Sequence, residues 1–135
     1  MTYLPDSNAC IGYLNGRAVG ILQRLQAISA QEVVLCSIVK AELFYGAMKS
    51  TIPAQTLAKL NLFLNDFISL PFDDRAAEVH GRIRARLSAM GTPIGSNDLF
   101  IASIVLADNV TLLTHNMEES SRIDGLHLED WELAA

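Results

Sequence analysis

The sequence predicts an α/β fold, a three-layer α/β/α sandwich around a central parallel sheet. Three observations predict it. Short apolar runs alternate with longer segments whose apolar residues recur at helical spacing. Helix-capping residues sit at the joints between the two kinds of segment. Half of the 135 residues are hydrophobic and 19% are charged, enough to close one core without disulfides or structural metals. No repeat, low-complexity tract or linker interrupts the chain, so a single domain over residues 1–135 is expected.

The elements follow in order. Met1 to Asp6 reads as a buried strand that ends in the cap residues Asp6-Ser7-Asn8 and feeds a helix from about Asn8 to Tyr13. Gly16 breaks that helix, and Val19, Leu22, Leu25 and Ile28 resume the helical spacing. Val33-Val34-Leu35 is a β-branched strand, and Ser37 caps a helix along which Ile38, Ala41, Glu42, Tyr45 and Met48 recur. Pro53 suits the first turn of a fourth helix with Leu57, Leu60, Leu64 and Phe67 inward. Ile68 to Phe72 reads as a strand, after which Asp73 caps a long helix carrying Ala77, His80, Ile83 and Leu87 to near Gly91. Gly95-Ser96-Asn97-Asp98 opens an apolar helix through Leu99 to Ala107. Val110 to Thr114 gives the clearest strand signal, and Leu126 to Leu128 a last short one before Trp131.

Composition excludes several classes. Cys10 and Cys36 stand alone among apolar residues, which fits neither a disulfide framework nor a CxxC knuckle; two small buried thiols in a reducing cytoplasm are expected. No basic segment leads into an apolar one at the start, and no apolar stretch reaches the ~20 residues of a membrane span, so neither leader nor span is expected. The net charge of −5 argues against a passive nucleic-acid binder, which carries a basic face. It argues less against a site that gathers carboxylates around divalent cations, because such a site is acidic only when empty.

In an open parallel sheet, ligands bind beyond the carboxyl ends of the strands. Asp6 follows the first strand, and Thr114-His115-Asn116 follow the fourth. Asp98 lies in the first turn of an apolar helix, and Glu42 lies mid-helix between Ala41 and Leu43. A carboxylate on a buried helix needs a partner, and a metal ion is one. Ordinary roles stay open for each residue taken alone. Asp6 can cap a helix, the helix dipole favours Asp98, and Glu42 can pair with Lys40, Lys49 or Arg75 or face solvent. Asn116 suits a turn, and Glu118 and Glu119 suit a surface.

Their combination and order are more specific. Tyr3-Leu4-Pro5-Asp6-Ser7-Asn8 is followed by Ser37-Ile38-Val39-Lys40-Ala41-Glu42-Leu43-Phe44-Tyr45-Gly46, and then by Pro93-Ile94-Gly95-Ser96-Asn97-Asp98-Leu99-Phe100-Ile101-Ala102. Thr111-Leu112-Leu113-Thr114-His115-Asn116 comes last, with Glu119, Arg122, Gly125-Leu126 and Glu129-Asp130-Trp131. In these blocks the chain resembles the PIN-domain proteins over essentially its whole length, and among them the VapC toxins of bacterial toxin–antitoxin pairs.

The resemblance implies an α/β/α sandwich with an acidic cleft at the sheet edge, and an endoribonuclease dependent on Mg²⁺, for which Mn²⁺ can substitute. Carried over residue by residue, Asp6, Glu42 and Asp98 are the core acids of the metal site, with Asp6 and Asp98 as ligands. The family's last acidic position falls after the fourth strand. Here Asn116, an amide, follows that strand and Glu119 is the nearest matching acid, so the last ligand stays open between them. Ser7, Asn8, Thr114 and Asn116 are the implied orienting or substrate-contacting groups. Two departures show: Pro5 stands where the family usually has an aliphatic residue, and Ser7 replaces its common threonine while keeping the hydroxyl. The implied partners are a structured RNA such as a tRNA or rRNA loop, a second copy of the chain, and a VapB-type antitoxin whose C-terminal segment blocks the cleft.

The chemistry suits the residues. Mg²⁺ takes oxygen ligands and keeps several waters, so one or two carboxylates per ion suffice. Bound among them it lowers the pKa of a water and neutralises a leaving oxygen, which predicts a 5′-phosphate and a 3′-hydroxyl at the cut. No Ser–His–Asp or Cys–His alternative is evident, and His80, His115 and His127 lack metal-site spacing. His115 lies beside the expected cleft, where a turn or surface role and a substrate contact both stay open. Arg82 and Arg86 share a helix face with Arg84 nearby, suited to RNA phosphates, to an antitoxin's acids, or to solvent alone. Phe44, Tyr45 and Met48 suit either a groove for a partner helix or the core. Two rivals remain. An aspartyl phosphatase would carry a second Asp two residues after the first, where Asn8 stands. A PIN-fold interaction module without nuclease activity would follow if Asn116 disabled metal binding.

Overall fold

In the computed structural model, which describes residues 1–132, five parallel strands alternate with seven helices. The elements are β1 (Tyr3–Pro5), α1 (Ser7–Leu14), α2 (Val19–Ala27), β2 (Val34–Cys36), α3 (Ser37–Met48), α4 (Pro53–Leu64), β3 (Ile68–Leu70), α5 (Asp74–Ala89), α6 (Ser96–Ala107), β4 (Thr111–Leu113), α7 (Met117–Ser120) and β5 (Leu128–Glu129). One turn of 3₁₀ helix, Ala30–Glu32, leads into β2. The last three residues of the expected single domain lie outside the described residues.

β1 pairs with β4 and β4 with β5, while β2 pairs with β3. A single parallel bridge between Tyr3 and Val33 joins the two sets, giving the order β3-β2-β1-β4-β5. Both faces of the sheet are covered, as parallel sheets require. On one face Leu4 and Leu112 join a large core with Leu35, Val39, Ile83 and Ile104. The alternate residues Tyr3 and Leu113 join a smaller core with Ala9, Ile21 and Trp131 on the other face.

Pro5 costs the sheet nothing. Thr2 and Asp6 bond to β4, through Thr2 O with Thr111 N and Asp6 N with Leu113 O, each at 2.9 Å. Residue 5 therefore turns its backbone the other way, toward β2, where pairing has already stopped at Tyr3.

Local chemistry sets the ends of α5. The Asp73 carboxylate accepts from Ala76 N at 2.9 Å and caps the start. At the other end Gly91 takes φ +68°, and Gly91 N and Thr92 N bond back to Ser88 O and Leu87 O. That is the double closure that favours glycine at this position. Asp73→Ala is expected to lower stability by about 1 kcal/mol through the lost cap, read as a shift of the urea midpoint at constant slope.

Several boundaries and faces differ from expectation. β1, β3 and β4 are shorter at one or both ends than the apolar runs, β2 is shifted by one residue to Val34–Cys36, and β5 is Leu128–Glu129 rather than Leu126 to Leu128. On α5 the buried stripe is Ala76, Val79, Ile83 and Leu87, with Ala77 exposed. On α3 it is Val39, Leu43 and Ala47, while Tyr45 and Met48 stand 65% and 61% exposed. Both Cys10 and Cys36 are buried free thiols. Among the described residues no helix is long and apolar enough to cross a membrane.

Candidate active site

Because the strands are all parallel, their carboxyl ends share one edge. Asp6 follows β1, Thr114 follows β4 and Asp130 follows β5 along that edge. Asp6 is the N-cap of α1, and its Oδ1 accepts from Ala9 N at 2.8 Å. The capping role and a place in the site therefore coexist in one carboxylate, since its second oxygen is not used by the cap. Burial pushes the Asp6 carboxyl above its usual range. The Thr114 hydroxyl and the Ala9 amide offset part of that rise, and the charges of Glu132 and Glu42 add to it. Thr114 is buried, and its Oγ1 accepts from Asn116 N at 3.0 Å.

Ser7, the first residue of α1, is also buried and donates its hydroxyl to Glu42 Oε1 at 2.7 Å across the packed α1–α3 contact. Glu42 takes this partner rather than Lys40, Lys49 or Arg75. Asp98 stands in the first turn of α6, open to solvent. Its carboxyl is raised by partial desolvation and then by the charges of Glu119, Asp6 and Glu42. On the short α7, Glu119 Oε2 accepts from Asn116 Nδ2 at 3.0 Å. The amide and the acid between which the last position stayed open are thus joined, Asn116 acting as the donor that holds Glu119.

The structure therefore gathers Asp6, Glu42, Asp98 and Glu119, braced by Ser7, Thr114 and Asn116. Asn8 is not among them. It is exposed and lines a neighbouring hollow of about 800 Å³ with Arg17, Gln23 and Glu132. On α5, Arg86 ion-pairs with Asp124 at the exposed surface, so one of the two cations sharing that face is engaged within the chain.

Two further acids had no assigned role in the sequence: Asp130, present only as part of the last block, and Glu132. Asp130 Oδ2 and Glu132 Oε2 lie 2.8 and 3.1 Å from His115 Nδ1. The ligand atoms of His115, Asp130 and Glu132 all fall within 4.8 Å of one another, although fifteen or more residues separate the histidine from the acids. Among the described residues theirs is the one trio of this kind as tight as that. Strand register brings them together. Leu113 pairs with Glu129, so the residues after β4 and β5 emerge side by side.

The donor set suits a hard cation. Asp6, Glu42 and Asp98 offer carboxylate oxygens. The charge of Glu42 raises the carboxyls of both Asp6 and Asp98, and that of Asp6 adds to the rise at Asp98. None of the three makes an ion pair with Lys or Arg among the described residues. Clustered like charges of this kind are relieved either by protonation or by a divalent ion.

Comparison with known proteins agrees with this fold. The family profile described as PIN domain matches residues 3–126. The chain is 36% identical over 133 residues to the ribonuclease VapC2 of Rickettsia felis, covering 98% of this chain and 99% of that protein. It is 34% identical over 131 residues to the tRNA(fMet)-specific endonuclease VapC of Salmonella typhimurium, covering 97% and 98%. The VapBC2 complex from Rickettsia felis, solved bound to a DNA fragment from its promoter, superposes with a TM-score of 0.89 over 97% of this chain and 99% of its counterpart. The DNA-bound VapBC from Salmonella typhimurium gives 0.90 over 97% and 98%. The chain belongs to the PIN-domain family and, within it, to the VapC proteins.

Proposed function

We propose that this chain is the ribonuclease toxin of a VapBC-type pair, a metal-dependent endonuclease that cuts structured RNA of the tRNA or rRNA class. The observation that carries the reading is the convergence of Asp6, Glu42, Asp98 and Glu119 at the carboxyl edge of the sheet, without a Lys or Arg partner among the described residues. Relatives named as ribonucleases and as a tRNA(fMet)-specific endonuclease support the substrate class.

Asp6 and Asp98 would hold Mg²⁺ or Mn²⁺, with Glu42 and Glu119 flanking them. When bound, the ion supplies charge neutralisation at the phosphodiester and a more acidic water. The chain's own groups do the rest. Ser7 fixes the Glu42 carboxylate, the Ala9 amide fixes Asp6, and Asn116 aims Glu119, so that the acids are held before substrate arrives. The antitoxin's place is supported by a groove of about 480 Å³ lined by Ile11, Leu43, Ala47, Ile52, Leu60 and Glu42. It offers an apolar wall beside a site carboxylate, suited to a partner segment with a cationic tip.

The test is incubation of antitoxin-free protein with a total tRNA pool in Mg²⁺, in Mn²⁺ and in EDTA. Discrete cuts bearing 5′-phosphates, seen only with metal and absent from Asp98→Ala, are the expected result. A folded wild-type protein that neither cleaves nor binds Mn²⁺ would leave the rival reading, an interaction module on the same fold.

A further inference from the structure

We propose that His115, aimed by the buried Asp130, is the residue that grips a substrate phosphate at the mouth of the acidic cleft. This deepens the nuclease reading and rests on it. Five carboxylates border the cleft, Asp6, Glu42, Asp98, Glu119 and Glu132. A polyanion approaching them needs a fixed cation as well as a bound metal.

His115 has the position for that role. It lies between Thr114, which contacts Asp6, and Asn116, which holds Glu119. Its side chain is 62% exposed, whereas that of Asp130 is only 8% exposed. Asp130 uses Oδ1 to accept from Glu132 N at 3.0 Å and Oδ2 to accept from His115 Nδ1 at 2.8 Å, so neither oxygen is free to turn away. A carboxylate only accepts, so Nδ1 carries a hydrogen and the ring presents Nε2 outward. The hydrogen bond to Asp130, and then the charges of Asp130, Glu132 and Asp6, favour the protonated ring over its ordinary behaviour. The base beneath the pair is rigid: Trp131, the residue after Asp130, is 3% exposed and stacks edge-on against Tyr3 of β1 at 4.9 Å. Asp130 is thus a positioning residue, and His115 the group that touches RNA.

The test compares wild type, His115→Gln and Asp130→Asn in three measurements: cleavage of a total tRNA pool against ionic strength, binding of the labelled pool in EDTA, and Mn²⁺ affinity by calorimetry. His115→Gln is expected to raise KM about tenfold, the scale of one lost charge-assisted hydrogen bond, with kcat within about twofold. The slope of log affinity against log salt should become shallower by about 0.7, the loss of one single-strand phosphate contact. Asp130→Asn should move both quantities the same way by less, and Mn²⁺ affinity should be the same in all three proteins. Unchanged KM and slope in His115→Gln would overturn the proposal. So would a tenfold loss of Mn²⁺ affinity, which would make the histidine a metal ligand instead. A wild-type protein that binds the pool in EDTA without ever cleaving it would defeat the nuclease reading while the salt slope still decides the role of His115. Because His115 is exposed, its variant decides the matter even if Asp130→Asn melts early.

Discussion

Asp98→Asn is expected to reduce kcat by on the order of 10²–10³-fold, the scale of losing one preorganised electrostatic contact at a reacting phosphoryl group, while leaving the metal-free fold at least as stable. The two effects have one cause. The Asp98 carboxyl is raised above the ordinary value of 3.8 by desolvation and by Glu119, Asp6 and Glu42. Between 3.8 and the higher folded value the native state binds more protons than the unfolded chain, so stability falls as pH rises through that window and stays lower above it. Asp6 adds a fall of the same sign. In EDTA, wild type should therefore melt higher near pH 4 than at pH 7, and Asp98→Asn should flatten that dependence. At neutral pH, Mg²⁺ at a hundred times its Kd should stabilise wild type by about 2.7 kcal/mol, and the variant by clearly less. Melting curves at several pH values, in EDTA and in Mg²⁺, measure all of this. A wild-type curve that rises with pH in EDTA would mean that the acids are relieved by protein groups, and would remove the reason for a metal.

The sequence carried the path of the chain further than it carried its faces. Alternating apolar runs and cap residues located the strands and helices, and Asp73 and Gly91 marked the ends of α5 because capping is local chemistry. The face of α3 was not legible. Apolar residues surround it, so Ile38, Ala41, Tyr45 and Met48 read as well for an inner stripe as Val39, Leu43 and Ala47, which are buried. On α5 the small Ala76 and Ala77 are adjacent and interchangeable to any periodicity argument; packing against α6 decides between them.

The same division holds for the site. Asp6, Glu42 and Asp98 could be named because each stands in its own recognisable block. The bond from Asn116 to Glu119 also lies within reach of a sequence argument, since three residues on a short helical turn face each other. The pairing of His115 with Asp130 and Glu132 does not. It depends on β5 running alongside β4 in a register of two residue pairs, set by a strand of two residues whose apolar signal is faint. Asn8 faces away from the acids for a related reason: Ser7 faces Glu42 across α1–α3, and the next residue on a helix turns about 100° away, onto the neighbouring hollow.

That weak strand is held by one large side chain, and Trp131→Ala is expected to cost about 3–5 kcal/mol, a large share of the ~5–15 kcal/mol that stabilises a domain. Trp131 is 3% exposed in the smaller core, among Ala9, Ile21 and Leu113. Its ring meets Tyr3 at 4.9 Å, its Nε1 donates to Glu129 Oε1 at 3.0 Å, and Arg24 lies 5.5 Å from its centroid while pairing with the same glutamate. Truncation opens a cavity between β1, β4 and α2 and removes the side-chain bond that holds Glu129 of β5. Trp131→Phe keeps most of the ring and loses the N–H, so it should cost nearer 1–2 kcal/mol, from the hydrogen bond and the lost ring volume. Urea unfolding of the three proteins in EDTA at pH 7 gives these differences directly. An alanine variant within 1 kcal/mol of wild type would show that the smaller core does not anchor β5, and that Asp130 reaches His115 by some route other than the strand that presents it.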